Sequence, residues 1–174
     1  MKKFVLPSLL LVSLISFAQN NTGIPIPMKN GIVFYEKEYI VPNSSKEKLY
    51  DKAYNWFTKT FGNAENKIKI SDRKNGRLVA EGAFKIVVNE NGNYYWLKPV
   101  IDIKSNDSGY TFEAYSYYEK PIEKGITNDY SKIEYRWWDF RQGRPWSPED
   151  KKLFEGLDQN TISLMTSLEQ DMLH

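Results

Sequence analysis

The sequence predicts an α+β domain on three observations. A helix with a capping signal lies early in the chain. Three successive hairpins with apolar residues at every second position follow it. A second helix signal comes late. Period-two alternation over consecutive hairpins means an antiparallel sheet with one packed face. An amphipathic helix beside it supplies the cover.

The elements follow in chain order. Residues 19–30, with Gly23, Pro25 and Pro27, read as an extended linker. Ile32 to Val41 is rich in β-branched and aromatic residues and is stopped by Pro42, so it reads as a strand. Ser44 with Glu47 three residues on fits a capping box. Leu49, Tyr50, Ala53, Trp56, Phe57 and Phe61 then recur at helical spacing, and Gly62 ends the helix, giving 44–61. Ile68 and Ile70 face inward on a short strand, and a turn at 72–76 leads to a strand over 77–88. Its inner face holds Leu78, Ala80, Phe84, Ile86 and Val88. The next strand, 94–104, puts Tyr95, Leu97, Ile101 and Ile103 inside, and 109–119 puts Tyr110, Phe112, Ala114 and Tyr118 inside. Residues 120–146 form an aromatic-rich segment in which 133–141 is a further strand or a loop. Ser147-Pro148-Glu149-Asp150 opens a helix over 147–173, with Leu153, Leu157, Thr161, Leu164, Leu168 and Met172 as its stripe. Gly156 and Asp158 are expected to fray or break it.

Residues 1–18 have the pattern of a signal peptide. Lys2 and Lys3 precede an apolar run from Phe4 to Phe17, and Ser16-Phe17-Ala18 supplies small residues for cleavage before Gln19. The run is too short for a span of about 20 residues, so no membrane span is expected after cleavage. The expected location is the periplasm or the cell surface. Lys2 and Lys3 carry the whole formal net charge of +2, so the remaining chain is neutral. Neutrality argues against a nucleic-acid partner. The chain has no Cys, and its single His is His174. That excludes thiol nucleophiles, Cys-held metals and disulfides, and it speaks against a Ser-His-Asp triad. No phosphate loop, dinucleotide fingerprint or nucleophile elbow occurs. No cofactor and no metal are expected.

Some of these segments resemble a family. Pro42 to Phe57 looks like the signature helix of a secreted Bacteroidetes family, domain of unknown function 4468, with a TBP-like fold (after the TATA-box-binding protein). Ile68, Asp72, Gly76 and Gly82 resemble its strand–turn–strand motif. Val100 to Lys104 followed by Gly109 to Phe112 resembles its next hairpin. The similarity covers roughly 31–119 of a single domain spanning 31–174. It implies a TBP-like fold and an exported location, with no activity or functional residue to transfer.

Keeping the apolar faces together suggests pairing Ile103 with Tyr110 and Ile86 with Leu97. The outer face then carries two constellations. Trp96 and Tyr117, with Lys98 and Tyr115, form an aromatic patch with a cation beside it. It suits a glycan, a peptide or an envelope protein as ligand. Trp137 and Trp138 would join it. The other reading is a second core covered by Tyr135, Trp137, Trp138, Trp146 or the late helix. Glu81 falls opposite Asp102, with Glu113 nearby. Two close carboxylates suit a glycoside hydrolase, whereas a row in which Lys67 neutralises Glu81 is only a wet surface. A bulge at Gly82 or Pro99 would change both rows. The leading functional expectation is a non-catalytic binding module. An envelope glycan hydrolase and a structural part of an envelope assembly are the alternatives.

Overall fold

A computed structural model of the chain describes residues 26–62, 67–123, 125 and 128–173. The expected signal peptide and residues 19–25 of the expected linker lie outside these residues. The elements are β1 (Met28–Lys29), β2 (Ile32–Ile40), α1 (Lys46–Phe61), β3 (Ile68–Asp72), β4 (Arg77–Glu81), β5 (Phe84–Val87), β6 (Tyr94–Asn106), β7 (Gly109–Ile122), β8 (Ser131–Lys132), α2 (Tyr135–Arg141) and α3 (Pro148–Leu173). The strands pair antiparallel in the order β1-β2-β7-β6-β4-β3, with β5 also on β6 and β8 also on β7.

Both long helices cover one face of this sheet. From α1, Leu49, Trp56 and Phe57 are buried against the sheet residues Leu78, Ile101 and Phe112. From α3, Phe154, Leu157 and Met172 complete the same core. Each such side chain contributes about 1.5–3 kcal/mol by leaving water. The helices also bond to each other: Trp56 Nε1 donates to Ser167 Oγ at 3.1 Å, and Lys52 Nζ to the Met172 carbonyl at 2.7 Å. Helix α3 runs unbroken through Gly156. A Cβ there would stand 2.5 Å from Ile86 Cγ2, so the missing side chain lets the helix lie directly on β5.

Several local expectations need correction. Ile26 is in the core and Met28–Lys29 pairs with β2, so the fold begins inside the expected linker. The N-cap is Ser45, not Ser44, because Pro42 and Asn43 form a turn before it. Ser45 Oγ accepts from the Lys48 amide at 3.3 Å. Ile70 faces outward because β3 shifts register between Ile68 and Ile70. Residues 135–141 form a helix, neither strand nor loop, and it inserts Trp137 against Trp146 and Phe154.

The largest departure lies at Pro99. Proline has no N–H, so the Gly82–Pro99 pair keeps a single bond, Gly82 N to Pro99 O at 3.0 Å. The expected strand over 77–88 accordingly breaks at Gly82 and Ala83 into β4 and β5. On the other side of Pro99, β7 carries an extra residue. Lys98 pairs with Tyr118 and Val100 with Tyr115, so Ser116 and Tyr117 oppose one proline. Ser116 takes φ 51°, the left-handed conformation of a bulge. The extra residue reverses the facing of everything after it. Tyr117 is fully buried, with its hydroxyl 2.9 Å from Thr161 Oγ1, and Tyr118 faces out.

This reversal predicts that Tyr117→Ala lowers unfolding free energy by about 3–5 kcal/mol, and Tyr118→Ala by less than about 1 kcal/mol. Urea unfolding of the two variants measures both; the opposite ranking would mean an unbulged strand.

Candidate functional site

The face of the sheet opposite the helices is divided in two by the Pro99 bulge. On the half nearer the β6–β7 turn, four carboxylates pair with cations, and Glu38, opposite Thr111, has no ion pair among the described residues. Arg77 holds Asp102 with two nitrogens at 2.7–3.2 Å, and Lys104 pairs with Glu113. Lys69 meets Glu81 at 3.5 Å, and Lys29 meets Glu36 at 3.3 Å. On the half beyond the bulge, the register builds two cross-strand rows. One is Lys85, Trp96, Lys120, and the next is Lys98, Tyr118, Lys132. Each row is an aromatic ring flanked by two ammonium groups, and the rows are offset by one strand. None of the four lysines has a carboxylate within 4 Å among the described residues.

The rings and cations hold one another in place. Tyr94 stands edge-on to Trp96 at 6.2 Å. Lys85 lies 3.9 Å above the Tyr94 ring, and Lys98 and Lys120 lie 4.0 and 5.7 Å from the Tyr130 ring. Such contacts are worth about 0.5–1 kcal/mol each at exposed sites. Trp96, Tyr118 and Tyr130 keep 36%, 38% and 36% of their surface exposed, so the face is open and not a second core.

The expected site residues divide accordingly. Trp96 and Lys98 lie together on this open face. Tyr115 lies on the other half, stacked on Phe34 at 5.9 Å. Tyr117 and Trp137 are core residues and leave the candidate site. Trp138 is exposed on α2, and no ring contact among the described residues joins it to Trp96. The carboxylate pair is not formed, because the register of β4 on β6 is shifted by two residues from the expected one. Glu81 stands opposite Val100, and Asp102 opposite Val79 and Glu113. Glu81 takes Lys69 as its ion-pair partner, while Lys67 reaches the Phe61 carbonyl. Each of the two acids has its own cation, Lys69 for Glu81 and Arg77 for Asp102. Sequence reasoning missed Lys120, Lys132, Tyr94, Tyr118 and Tyr130 as site residues. The available signal was Pro99 inside a strand, which marks a bulge.

A further pocket, of about 20 Å³, lies among Tyr39, Val41, Tyr110, Glu169 and Met172 at the far end of the sheet. It is smaller than the roughly 300–1,000 Å³ of sites that enclose a small molecule.

Residues 35–118 match the family model described as a domain of unknown function (DUF4468) with TBP-like fold. This stretch is a DUF4468 domain. Two solved structures share the fold. A DUF4468 family protein from Bacteroides ovatus superposes with TM-score 0.69 at 16% identity, covering 84% of this chain and 90% of its own. A TBP-like protein from Parabacteroides distasonis superposes with TM-score 0.64 at 18% identity, covering 83% and 97%. No curated protein sequence matches the chain. The fold is therefore TBP-like α+β, with an antiparallel eight-stranded sheet and three helices among the described residues.

Just beyond the DUF4468 stretch lies a buried ionic knot. Glu119 sits on the helix side of β7 because the bulge turned it inward. Arg136 Nε bonds both its oxygens at 2.8 Å, and Arg136 Nη1 bonds Asp150. The Asp150 carboxylate also accepts from the Ser147 amide, and the Asp150 N–H donates to Ser147 Oγ, a reciprocal cap of α3. The knot thus ties α2 and the start of α3 to the edge of the DUF4468 domain. Burial pushes the Glu119 carboxyl above the usual carboxylate range, against the pull of Arg136.

Removing the arginine should leave a buried, unpaired carboxylate. Arg136→Met is expected to cost about 3–5 kcal/mol at pH 7. A carboxyl whose folded pKa is raised favours folding when protonated, so its contribution is present at low pH and lost as pH rises through the raised value. The loss in Arg136→Met should therefore be smaller at pH 4.5 than at pH 7, and Glu119→Gln in the same chain should recover most of it. Equal losses at both pH values, with no recovery, would contradict this account.

Proposed function

We propose that this protein is an exported, non-catalytic binding module of the periplasm or cell surface. It holds its ligand on the open sheet face beyond the bulge. The contact rings are Trp96, Tyr94, Tyr118 and Tyr130, with Lys85, Lys98, Lys120 and Lys132 between and beside them. One observation carries the reading. On one half of this face Asp102, Glu113, Glu81 and Glu36 are each matched by a cation, while on the other half the lysines and rings have no acidic partner among the described residues. Exposed rings cost solubility unless a ligand covers them, and ammonium groups gathered on one patch repel one another and attract an anion. The basic start, apolar run and small residues of 1–18 support export. The shifted register, which separates Glu81 from Asp102, removes the support for a hydrolase.

The test is a fluorescence titration of the purified protein against fractionated envelope glycans and peptides. Wild type is compared with Trp96→Ala and Trp138→Ala, with the fold checked by circular dichroism. A saturable signal in wild type and in Trp138→Ala, weakened at least about tenfold in Trp96→Ala, is the expected result; tenfold is about 1.4 kcal/mol. No saturable response to any fraction would overturn the reading.

A further inference from the structure

Resting on that binding role, we infer that the ligand is an anionic glycan, a chain of sugars carrying carboxylate or sulfate groups. The argument starts from spacing. The two lysines of a row are separated by one intervening strand, so their backbones stand about 9.6 Å apart. That is the scale of a disaccharide. In each row the residue between them is a flat ring, Trp96 or Tyr118. An aromatic face packs against the apolar C–H face of a sugar, and ammonium groups on either side meet its acidic substituents. The second row repeats the arrangement one strand over, so a chain crossing the sheet meets alternating rings and cations.

The same features weigh against other polyanions. An acidic peptide in extended form adds to a sheet edge through its backbone. Here Trp96, Lys98, Tyr118 and Lys120 stand on β6 and β7, whose backbones are paired on both sides, β6 with β5 and β7, and β7 with β6 and β8. The neutral charge of residues 19–174 lacks the basic excess of a nucleic-acid binder. The acids adjoining the face in sequence, Glu90, Glu123 and Asp129, make no ion pair with its lysines among the described residues. The cation–ring contacts hold Lys85, Lys98 and Lys120 over the sheet, already placed for an incoming anion.

The probes are polygalacturonate, dextran sulfate, neutral dextran and a single-stranded oligothymidylate, titrated into the purified protein with tryptophan fluorescence as readout. One or both acidic glycans should bind saturably and neutral dextran at least about tenfold more weakly. Raising sodium chloride from 50 to 300 mM should weaken binding at least about fivefold, since screening shortens the reach of exposed charges. Lys98→Ala and Lys120→Ala should each weaken it at least about threefold with unchanged circular dichroism. Lys104→Ala, on the matched half of the face, should not. Equal binding of neutral dextran, or indifference to salt and to both lysine changes, overturns the anionic assignment while leaving the binding role intact. Tighter binding of the oligothymidylate than of either acidic glycan overturns it in favour of nucleic acid. Failure of all four probes, together with a saturable, Trp96-dependent response to another envelope fraction, also overturns it. Failure of every probe and every fraction removes the binding role as well.

Discussion

The pairing of one proline with two residues sets the character of both faces of the sheet. Pro99 leaves its pair with Gly82 one hydrogen bond short, and Ser116 with Tyr117 bulges opposite it. A left-handed serine is held there at a cost of order 1–3 kcal/mol. Burial of the Tyr117 ring and its bond to Thr161 offset that strain. More follows from the reversal of facing than from the local bond count. In a continuous strand, Glu119 would point to solvent and Lys120 into the core. With the bulge, Glu119 turns inward to Arg136 and Lys120 turns outward beside Trp96.

One inserted residue therefore separates charge across the sheet. The carboxylate goes to a buried pair that anchors α2 and α3, and the lysine goes to the open face. The half of the sheet before the bulge shows what the face would otherwise be. There Arg77–Asp102, Lys104–Glu113 and Lys69–Glu81 neutralise one another and present little to a partner. The proposed binding face rests on the contrast between the two halves, more than on the presence of any one aromatic residue.

Much of the fold was legible in the residues. The period-two alternation of Tyr95, Leu97, Ile101 and Ile103 correctly gave the packed face of β6, because nothing interrupts it. The stripe through Leu153, Leu157, Thr161, Leu168 and Met172 gave α3 for the same reason. Gly156 looked like a breaker, and only the closeness of Ile86 shows why a glycine sits there. Parity arguments failed where an unpaired residue enters, at Lys69 and at Ser116–Tyr117, since alternation carries no count of residues that oppose none. The shift of two residues between β4 and β6 kept every side chain on its expected face but moved Glu81 away from Asp102. Faces were therefore readable where cross-strand neighbours were not. Trp96 and Lys98 lie on the face expected for them because β6 has no bulge of its own. Tyr117 and Trp137 were misplaced because their positions depend on β7's bulge and on a helix that only tertiary packing specifies.

The absence of cysteine from the sequence allows a direct test of the reversal. Single cysteines placed at 117, 118, 119 and 120 in turn can be labelled with a maleimide in the folded protein, with urea-unfolded samples as the reference for intrinsic reactivity. The account predicts rapid labelling at 118 and 120 and protection of at least about a hundredfold at 117 and 119, where access requires local or global opening. Rapid labelling at 117 and 119 with protection at 118 and 120 would show an unbulged strand. That result would contradict both the buried Glu119 pair and the cationic aromatic face.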